Sequence, residues 1–596
     1  MSATKRTRGR WLWAGAILCA VCGSVFTGAP GQAAKPTGAA AQDGAEGDQV
    51  KKIHEYIARG WDSLTRTMES CEVVVDPKME RGGSVLYVPA DFSGGDGSAG
   101  GEAAEKELAG LPARCGVRVE KLPKAISGPG QIDPRAGGFG GAGEAAGLLY
   151  LPEPYVVPGG RFNEMYGWDS YFIVRGLLAD GRVKLAREMV ENFFFEIEHY
   201  GTVLNANRVY YLTRSQPPFL SSMVLAVWEA EKKEVGEGSK RREAEEFLRE
   251  GYKYAAQDYA MWTRAPHLAG ETGLARYYDF GEGPAPESVS GEPGYYKQVA
   301  LYFLTRPELT KRFVVREGEG KDSFEVAGCE AASAGSGAGG KDAISNCAGV
   351  KLTAEYFKGD RAMRESGFDV SFRFGPYGAE THHYAPVCLN SLLYKTEKDL
   401  EKMAGLLGKQ DEAAEWRGRA AKRRAVMVRY LWDGTRGMFF DYDFVEARRS
   451  SYVFASTFYP LWVGLATERQ ARVVDARVNQ FEERGGLVTS TKESGAQWDF
   501  PYEWAPVQLI ADEGLRRYGF DGDADRLSYE FLSTVLENFE RDGTIREKYN
   551  AVTRSSETNV SAGYHANVVG FGWTNGAFLV LSEEMGKGWK GRLGEK

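Results

Sequence analysis

The chain has 596 residues, 43% of them hydrophobic and 26% charged, with 82 acidic side chains against 74 basic ones and a formal net charge of -8. That is the composition of a soluble globular protein with a sizeable core. The acidic balance leaves no basic surplus for phosphate-rich partners, so nucleic acid is excluded as a partner.

The chain opens with Lys5, Arg6, Arg8 and Arg10, an apolar run over 11–26, and the small residues Ala29, Ala33 and Ala34. This pattern predicts a secretory signal over 1–34, hence a periplasmic or secreted protein. The run is short for a membrane span, and no membrane association is expected of the mature chain. A polar Gly/Ala linker follows over 35–49. Within 50–147 the spacing of Ile53, Ile57, Trp61 and Leu64 predicts a helix over 50–70. Glycine-rich stretches at 93–101 and 137–147 then predict irregular surface structure.

From residue 148 to 596 amphipathic helices alternate with loops rich in aromatic, acidic, Gly and Pro residues. Helices are predicted over 170–180, 183–199, 220–234, 241–263, 293–304, 352–364, 390–407, 411–431, 456–465, 468–480, 504–518, 523–540 and 574–584. An insertion of low complexity occupies about 316–348. So many helices with few convincing strands predict an all-α domain of helix hairpins. An open solenoid would show a fixed short repeat, and none is found, so a closed ring is expected.

Five of the seven cysteines lie beyond the signal, with no C-x-x-C pair among them, so no metal site is expected. Cys329 and Cys347 flank the Gly/Ala/Ser-rich insertion and form the first candidate disulfide. Cys71 with Cys115 is the second, leaving Cys388 as a buried thiol.

Four segments are denser in polar, aromatic and turn residues than a core requires. Residues 158–171 read PGGRFNEMYGWDSY, with Arg161 as a fork of donors, Trp168 as a stacking face and Asp169 beside it. Asn205, Arg214 and Gln216 suit directed hydrogen bonds to vicinal hydroxyls. The third segment, RESGFD, contains Gly367 and ends at Asp369. The fourth is split between QWDFPYEWAP, with Trp498, Asp499 and Trp504, and REKYN, with Glu547. Carboxylates set among aromatics are expected where one acid must keep its proton near neutral pH.

Together these segments resemble the trehalase family of inverting glycoside hydrolases (glycoside hydrolase family 37), in the family's own order. The resemblance implies an (α/α)6 toroid of the six-hairpin glycosidase kind and hydrolysis of α,α-trehalose without a cofactor. It places the general acid at Asp369 and the water-activating base at Glu547. In an inverting site the two lie roughly 6.5–9.5 Å apart. Arg161, Trp168, Asp169, Asn205, Arg214 and Gln216 would line the sugar pocket, with Gly367, Trp498, Asp499, Trp504 and Glu287 beside it. For Asp169 and Asp499 a bracing role, as helix caps or arginine partners, stands as an equal alternative.

The chain departs from the family at three points. Ala285 stands where an arginine is usual, Phe368 stands where a tryptophan is usual, and Tyr564 falls where the glycine-rich lid carries a carboxylate. His382, His383 and Tyr377 are candidate substitutes. Three functions follow: a monomeric secreted trehalase acting on a disaccharide, an inverting hydrolase of a related α-glucoside, or a catalytically weak sugar-binding protein. Retention of both Asp369 and Glu547 speaks against the last.

Overall fold

The computed structural model describes residues 47–79, 83–92, 99–134, 146–234, 239–292, 294–316, 319–329 and 347–595. The expected signal over 1–34 lies outside the described residues, as do most of the two glycine-rich stretches and of the insertion. No helix among the described residues is long and apolar enough to cross a membrane.

Six helices form an inner ring. Asp169–Ala179 packs against Leu220–Glu234, which packs against Val387–Leu406, then Tyr459–Trp462, Ala505–Arg517 and Gly572–Glu584, and the last returns to the first. Inner helices are buried nearly all round; every residue from Gly572 to Leu581 is buried. Five of them are followed in the chain by an outer helix: Val183–Tyr200, Ser239–Trp262, Gln410–Tyr430, Glu468–Asp475 and Asp521–Asp542. The outer ones show a single apolar stripe. In Gln410–Tyr430 it consists of Ala413, Trp416, Ala420 and Met427, with Arg423 on the same face. The sixth outer helix comes from the other end of the sequence: Asp48–Leu64 lays Val50, Ile53, Ile57, Trp61 and Leu64 inward and packs against Gly572–Glu584. The fold is thus the expected all-α (α/α)6 toroid.

Ring closure depends on two glycines. A Cβ on Gly176 would lie 2.4 Å from the Gly576 Cα, and one on Gly576 would lie 2.2 Å from the Phe172 carbonyl oxygen. Only hydrogens at both positions let the first and last inner helices approach this closely.

Small sheets decorate the ring, and sequence periodicity missed the clearest one. Val85–Val88 pairs in parallel with Arg118–Lys121 on one side and Leu148–Leu149 on the other. Its four residues are all buried, so it shows no alternation to betray a strand. Other helix boundaries moved for local reasons. Thr353 ends a strand and caps Ala354–Glu365 by accepting the Tyr356 N–H, so that helix begins later than expected. The helix expected over 456–465 shortens to Tyr459–Trp462 behind a 3-10 turn, and Gly464, at φ +70°, follows it.

Residues between the second and third hairpins build a separate cap. Its helices Tyr295–Leu304, Pro307–Phe313 and Ala354–Glu365 share a core of Tyr295, Tyr296, Val299, Phe303, Phe313, Leu352, Tyr356 and Phe357, and the short helix Pro286–Gly291 precedes them. Disulfides join Cys71 to Cys115 and Cys329 to Cys347, and Cys388 is a buried free thiol.

Candidate active site

The loops that precede the inner helices carry the site. Trp168 and Asp169 open Asp169–Ala179, Arg214 and Gln216 precede Leu220–Glu234, and Asp369 lies between the cap and Val387–Leu406. The segment from Gln497 to Trp504 leads into Ala505–Arg517, and Glu547 and Trp573 flank the entry to Gly572–Glu584.

The segment around Gln497 ties two of these loops together. Gln497 Nε2 donates to the Asp369 carbonyl at 2.5 Å, and the Trp498 N–H donates to the Val370 carbonyl at 3.2 Å. The Gln497 N–H also reaches the Ala562 carbonyl at 3.2 Å, two residues before Tyr564. The floor is aromatic. Trp498 stacks on Trp504 at 3.9 Å and 7°, and Trp168 meets Phe368, Trp498 and Trp573 at 5.4, 5.7 and 5.8 Å. Gly367, at φ +74°, makes this possible, because a Cβ there would lie 2.7 Å from the Trp168 indole.

The two candidate catalytic carboxyls occupy opposite environments. Asp369 is 29% exposed, enough to meet a ligand, and Arg364 Nη1 comes no closer to it than 3.8 Å. Burial pushes its carboxyl up to about 7 and the charge of Glu292 adds to this, while Arg364 and Arg214 oppose it. Glu547 is sealed in and solvated by protein. Its Oε2 accepts from Lys548 Nζ at 3.0 Å, and its Oε1 accepts from the Tyr564 hydroxyl. Its backbone carbonyl accepts from Trp573 Nε1 at 3.1 Å. Asp169 lies within electrostatic reach of both: burial raises its carboxyl well above the ordinary range, and the charges of Glu547 and Asp369 raise it further.

A charged wall completes the pocket. Arg214 Nη2 donates to Glu287 Oε1 at 2.5 Å and to Asn205 Oδ1 at 3.4 Å, and Nη1 reaches Asp279 at 3.4 Å. Burial disfavours the ionised Glu287, yet Arg214 and Arg364 outweigh it and hold the carboxyl below its ordinary value. Arg364 continues the wall, with Asp360 at 3.3 Å and Glu292 at 3.9 Å. Four buried atoms along this wall have no hydrogen-bond partner among the described residues: Arg214 Nε, Glu287 Oε2, Glu292 Oε2 and Arg364 Nη2. Buried polar atoms are paired more than nine times in ten, so four orphans along one wall leave hydrogen-bonding capacity unused there.

The remaining expected residues divide by role. Arg161 is exposed, its guanidinium 5.5 Å from the Tyr564 ring. Gln216 Oε1 accepts the Trp168 backbone N–H at 2.9 Å and so fixes the loop that carries the indole. Asp499 is a brace: its two oxygens take the Ser371 hydroxyl, the Phe372 N–H and the Ser494 hydroxyl at 3.0, 2.9 and 2.5 Å. Trp504 is fully buried and donates to the Gln497 carbonyl at 2.8 Å. The His382 and His383 rings lie 4.1 Å apart at a tilt of 56°, near Arg276 and Arg312, and Tyr377 sits in the cap core. Sequence reasoning missed Arg364, Glu292 and Lys548. Arg364 opens the segment RESGFD five residues before Asp369, and Lys548 directly follows Glu547, where a basic residue beside a candidate catalytic carboxylate is itself a signal.

Comparison with known proteins agrees with this architecture. Residues 139–586 match the family model described as Trehalase. The chain is 34% identical over 592 residues to a probable trehalase of Eremothecium gossypii, covering 89% of this chain and 72% of that protein. It is 38% identical over 467 residues to the cytosolic neutral trehalase of Emericella nidulans, covering 72% of this chain and 57% of that one. Among solved structures, neutral trehalase Nth1 from Saccharomyces cerevisiae superposes with a TM-score of 0.71 at 30% identity, over 92% of this chain and 96% of that one. These relatives correct one expectation. The secreted or periplasmic placement, with its signal peptide, is overturned by relatives named cytosolic neutral trehalases, from Emericella nidulans and Saccharomyces cerevisiae among others. The chain belongs to the trehalase family of glycoside hydrolases.

Proposed function

We propose that the chain hydrolyses α,α-trehalose to two glucose molecules with inversion at the attacked anomeric carbon. The observation that carries this reading is the opposed setting of the two carboxyls. Asp369 is desolvated enough to hold a proton near neutral pH, whereas Glu547 accepts from a buried ammonium at one oxygen and from a tyrosine hydroxyl at the other. Asp369 gives its proton to the glycosidic oxygen as the bond to the anomeric carbon breaks. Glu547 takes a proton from the water that attacks that carbon from the opposite face. The unpartnered atoms of Arg214, Glu287 and Arg364 receive sugar hydroxyls, and the packed rings of Trp168, Phe368 and Trp498 give the site an apolar backing. The names of the similar proteins from Eremothecium and Emericella support trehalose as the sugar.

A second reading, hydrolysis of a related α-glucoside, draws on Ala285, which is fully buried and carries no polar group. Incubating the purified chain with trehalose, maltose, kojibiose and nigerose separates the two. Glucose from trehalose is expected, and release only from another disaccharide would overturn the choice of sugar. Proton NMR of the first turnovers should show equal α- and β-glucose, one from the leaving unit and one from water attack. An initial product of α-glucose alone would sink the inverting scheme.

A further inference from the structure

Glu292 has no role in the scheme so far, yet it lies across one guanidinium from Asp369. It follows the short helix Pro286–Gly291, five residues after Glu287. Its side chain is 18% exposed, and Oε1 lies 3.9 Å from Arg364 Nη1. The same Nη1 is 3.8 Å from Asp369 Oδ2, so one guanidinium stands between Glu292 and the acid. Glu292 Oε2 and Arg364 Nη2 are both buried without a hydrogen-bond partner among the described residues.

The scaffold holds this wall in place without using those atoms. The Ala285 N–H donates to the Tyr296 hydroxyl at 2.8 Å, and that hydroxyl donates to Asp360 Oδ2 at 2.8 Å, the carboxylate that also takes Arg364 Nε at 3.3 Å. The carboxylate of Glu292 and the second amino group of Arg364 are therefore positioned but unspent. A preorganised acceptor next to a preorganised donor matches a vicinal diol, in which one hydroxyl donates and its neighbour accepts. With Ala285 unable to reach a ligand, recognition at this wall falls to Glu287, Arg364 and Glu292.

We propose that Glu292, paired with Arg364, recognises hydroxyls of the sugar that leaves, making it a specificity-determining residue of the pocket; this rests on the trehalose-hydrolysing reading above. Its side of the pocket is the argument for the leaving sugar. Glu547, which activates water at the attacked ring, is held by Lys548 and Tyr564, whereas Glu292 shares Arg364 with the acid that protonates the leaving oxygen. The electrostatics agree. The charged and titratable groups acting on Asp369 are Arg364, Glu292 and Arg214, with Asp169 and Tyr564 across the pocket, and Glu292 is the one on the cap that helps it keep its proton.

The test compares Glu292→Ala and Glu292→Gln with wild type on trehalose and on α-glucosyl fluoride, whose leaving group has no hydroxyls. With Glu292→Ala, kcat/KM for trehalose should fall by about tenfold or more, and that for α-glucosyl fluoride by less than about threefold. In Glu292→Gln the basic limb of the trehalose pH profile should move to lower pH, because Arg364 then acts on Asp369 unopposed. Equal losses on both substrates in a variant that melts like wild type would overturn the inference, as would an unchanged kcat/KM for trehalose. Should wild type cleave α-glucosyl fluoride but not trehalose, the fault would lie in the trehalose reading and not in the place of Glu292.

Discussion

Lys548 Nζ donates to Glu547 Oε2 at 3.0 Å with both side chains sealed from solvent, at 0% and 2% exposure. The ammonium also lies 4.3 Å from the Tyr564 ring and 5.1 Å from Trp504, and it reaches the Ala566 carbonyl at 3.3 Å. A buried carboxylate without a partner is costly, and Lys548 supplies that partner here. Lys548→Met should therefore lower kcat/KM for trehalose by about tenfold or more, and Lys548→Arg, which keeps the charge, should lower it less. Wild-type kinetics in Lys548→Met would detach the lysine from catalysis.

Asp369 is expected to set the basic limb of the pH profile. Its carboxyl, raised to about 7, must be protonated to act, so kcat/KM should fall as pH rises through about 7. Asp369→Asn should abolish hydrolysis of trehalose at every pH. Stability should fall with rising pH as well, over a lower interval. A folded-state value above the unfolded one means that the folded form holds a proton that the unfolded form releases, so wild type loses stability between about pH 4 and 7. Asparagine has no such loss. The melting temperature of Asp369→Asn relative to wild type should rise across that interval, and a constant difference from pH 4 to 8 would contradict the assignment.

Gly367 links backbone geometry to the aromatic cluster. Its φ of +74° disfavours any side chain, and a Cβ would lie 2.7 Å from the Trp168 indole. Gly367→Ala should push the indole from Phe368 and Trp498 and tilt the loop that ends at Asp369. A loss of about tenfold or more in kcat/KM is expected, with a lower melting temperature. Wild-type kinetics in this variant would show that the approach of Trp168 to the backbone does not matter.

These cases show which parts of the site are legible in the sequence. Asp369 and Glu547 stand in motifs whose order along the chain is distinctive, and the apolar stripe of Ile53, Ile57, Trp61 and Leu64 announces an outer helix through its spacing alone. Which of the motifs' polar residues face the pocket is not legible in that way. Asp499 and Trp504 lie in the most recognisable segment, yet their polar atoms bond to backbone and serine hydroxyls within the wall. Glu292 and Arg364 lie far apart in sequence, and only the folding of the cap brings them against Asp369. The strand Val85–Val88 is hidden for a different reason, since burial on both faces erases the alternation that marks a strand.

The motif also contains a carboxyl with no visible chemistry. Glu503 sits on the strand Tyr502–Trp504, opposite Tyr549 and one residue from the pairing of Trp504 with Lys548. It is wholly buried, neither oxygen has a hydrogen-bond partner among the described residues, and it packs against Gly486, where a Cβ would be 2.3 Å from Oε2. Burial raises its carboxyl well above the ordinary range, against the opposing charge of Arg554 and with a smaller push from Glu530. Glu503 is thus folded in as the neutral acid. The unfolded chain releases that proton above its ordinary value near 4.5 while the folded chain retains it, so stability falls as pH rises, by at most about 1.4 kcal/mol per pH unit for one group. Glu503→Gln keeps the shape and removes the titration. It should match wild type near pH 4 and melt progressively higher than wild type toward pH 8. A melting difference independent of pH would show that Glu503 is ionised in the folded chain or hydrated by water that enters beside Gly486.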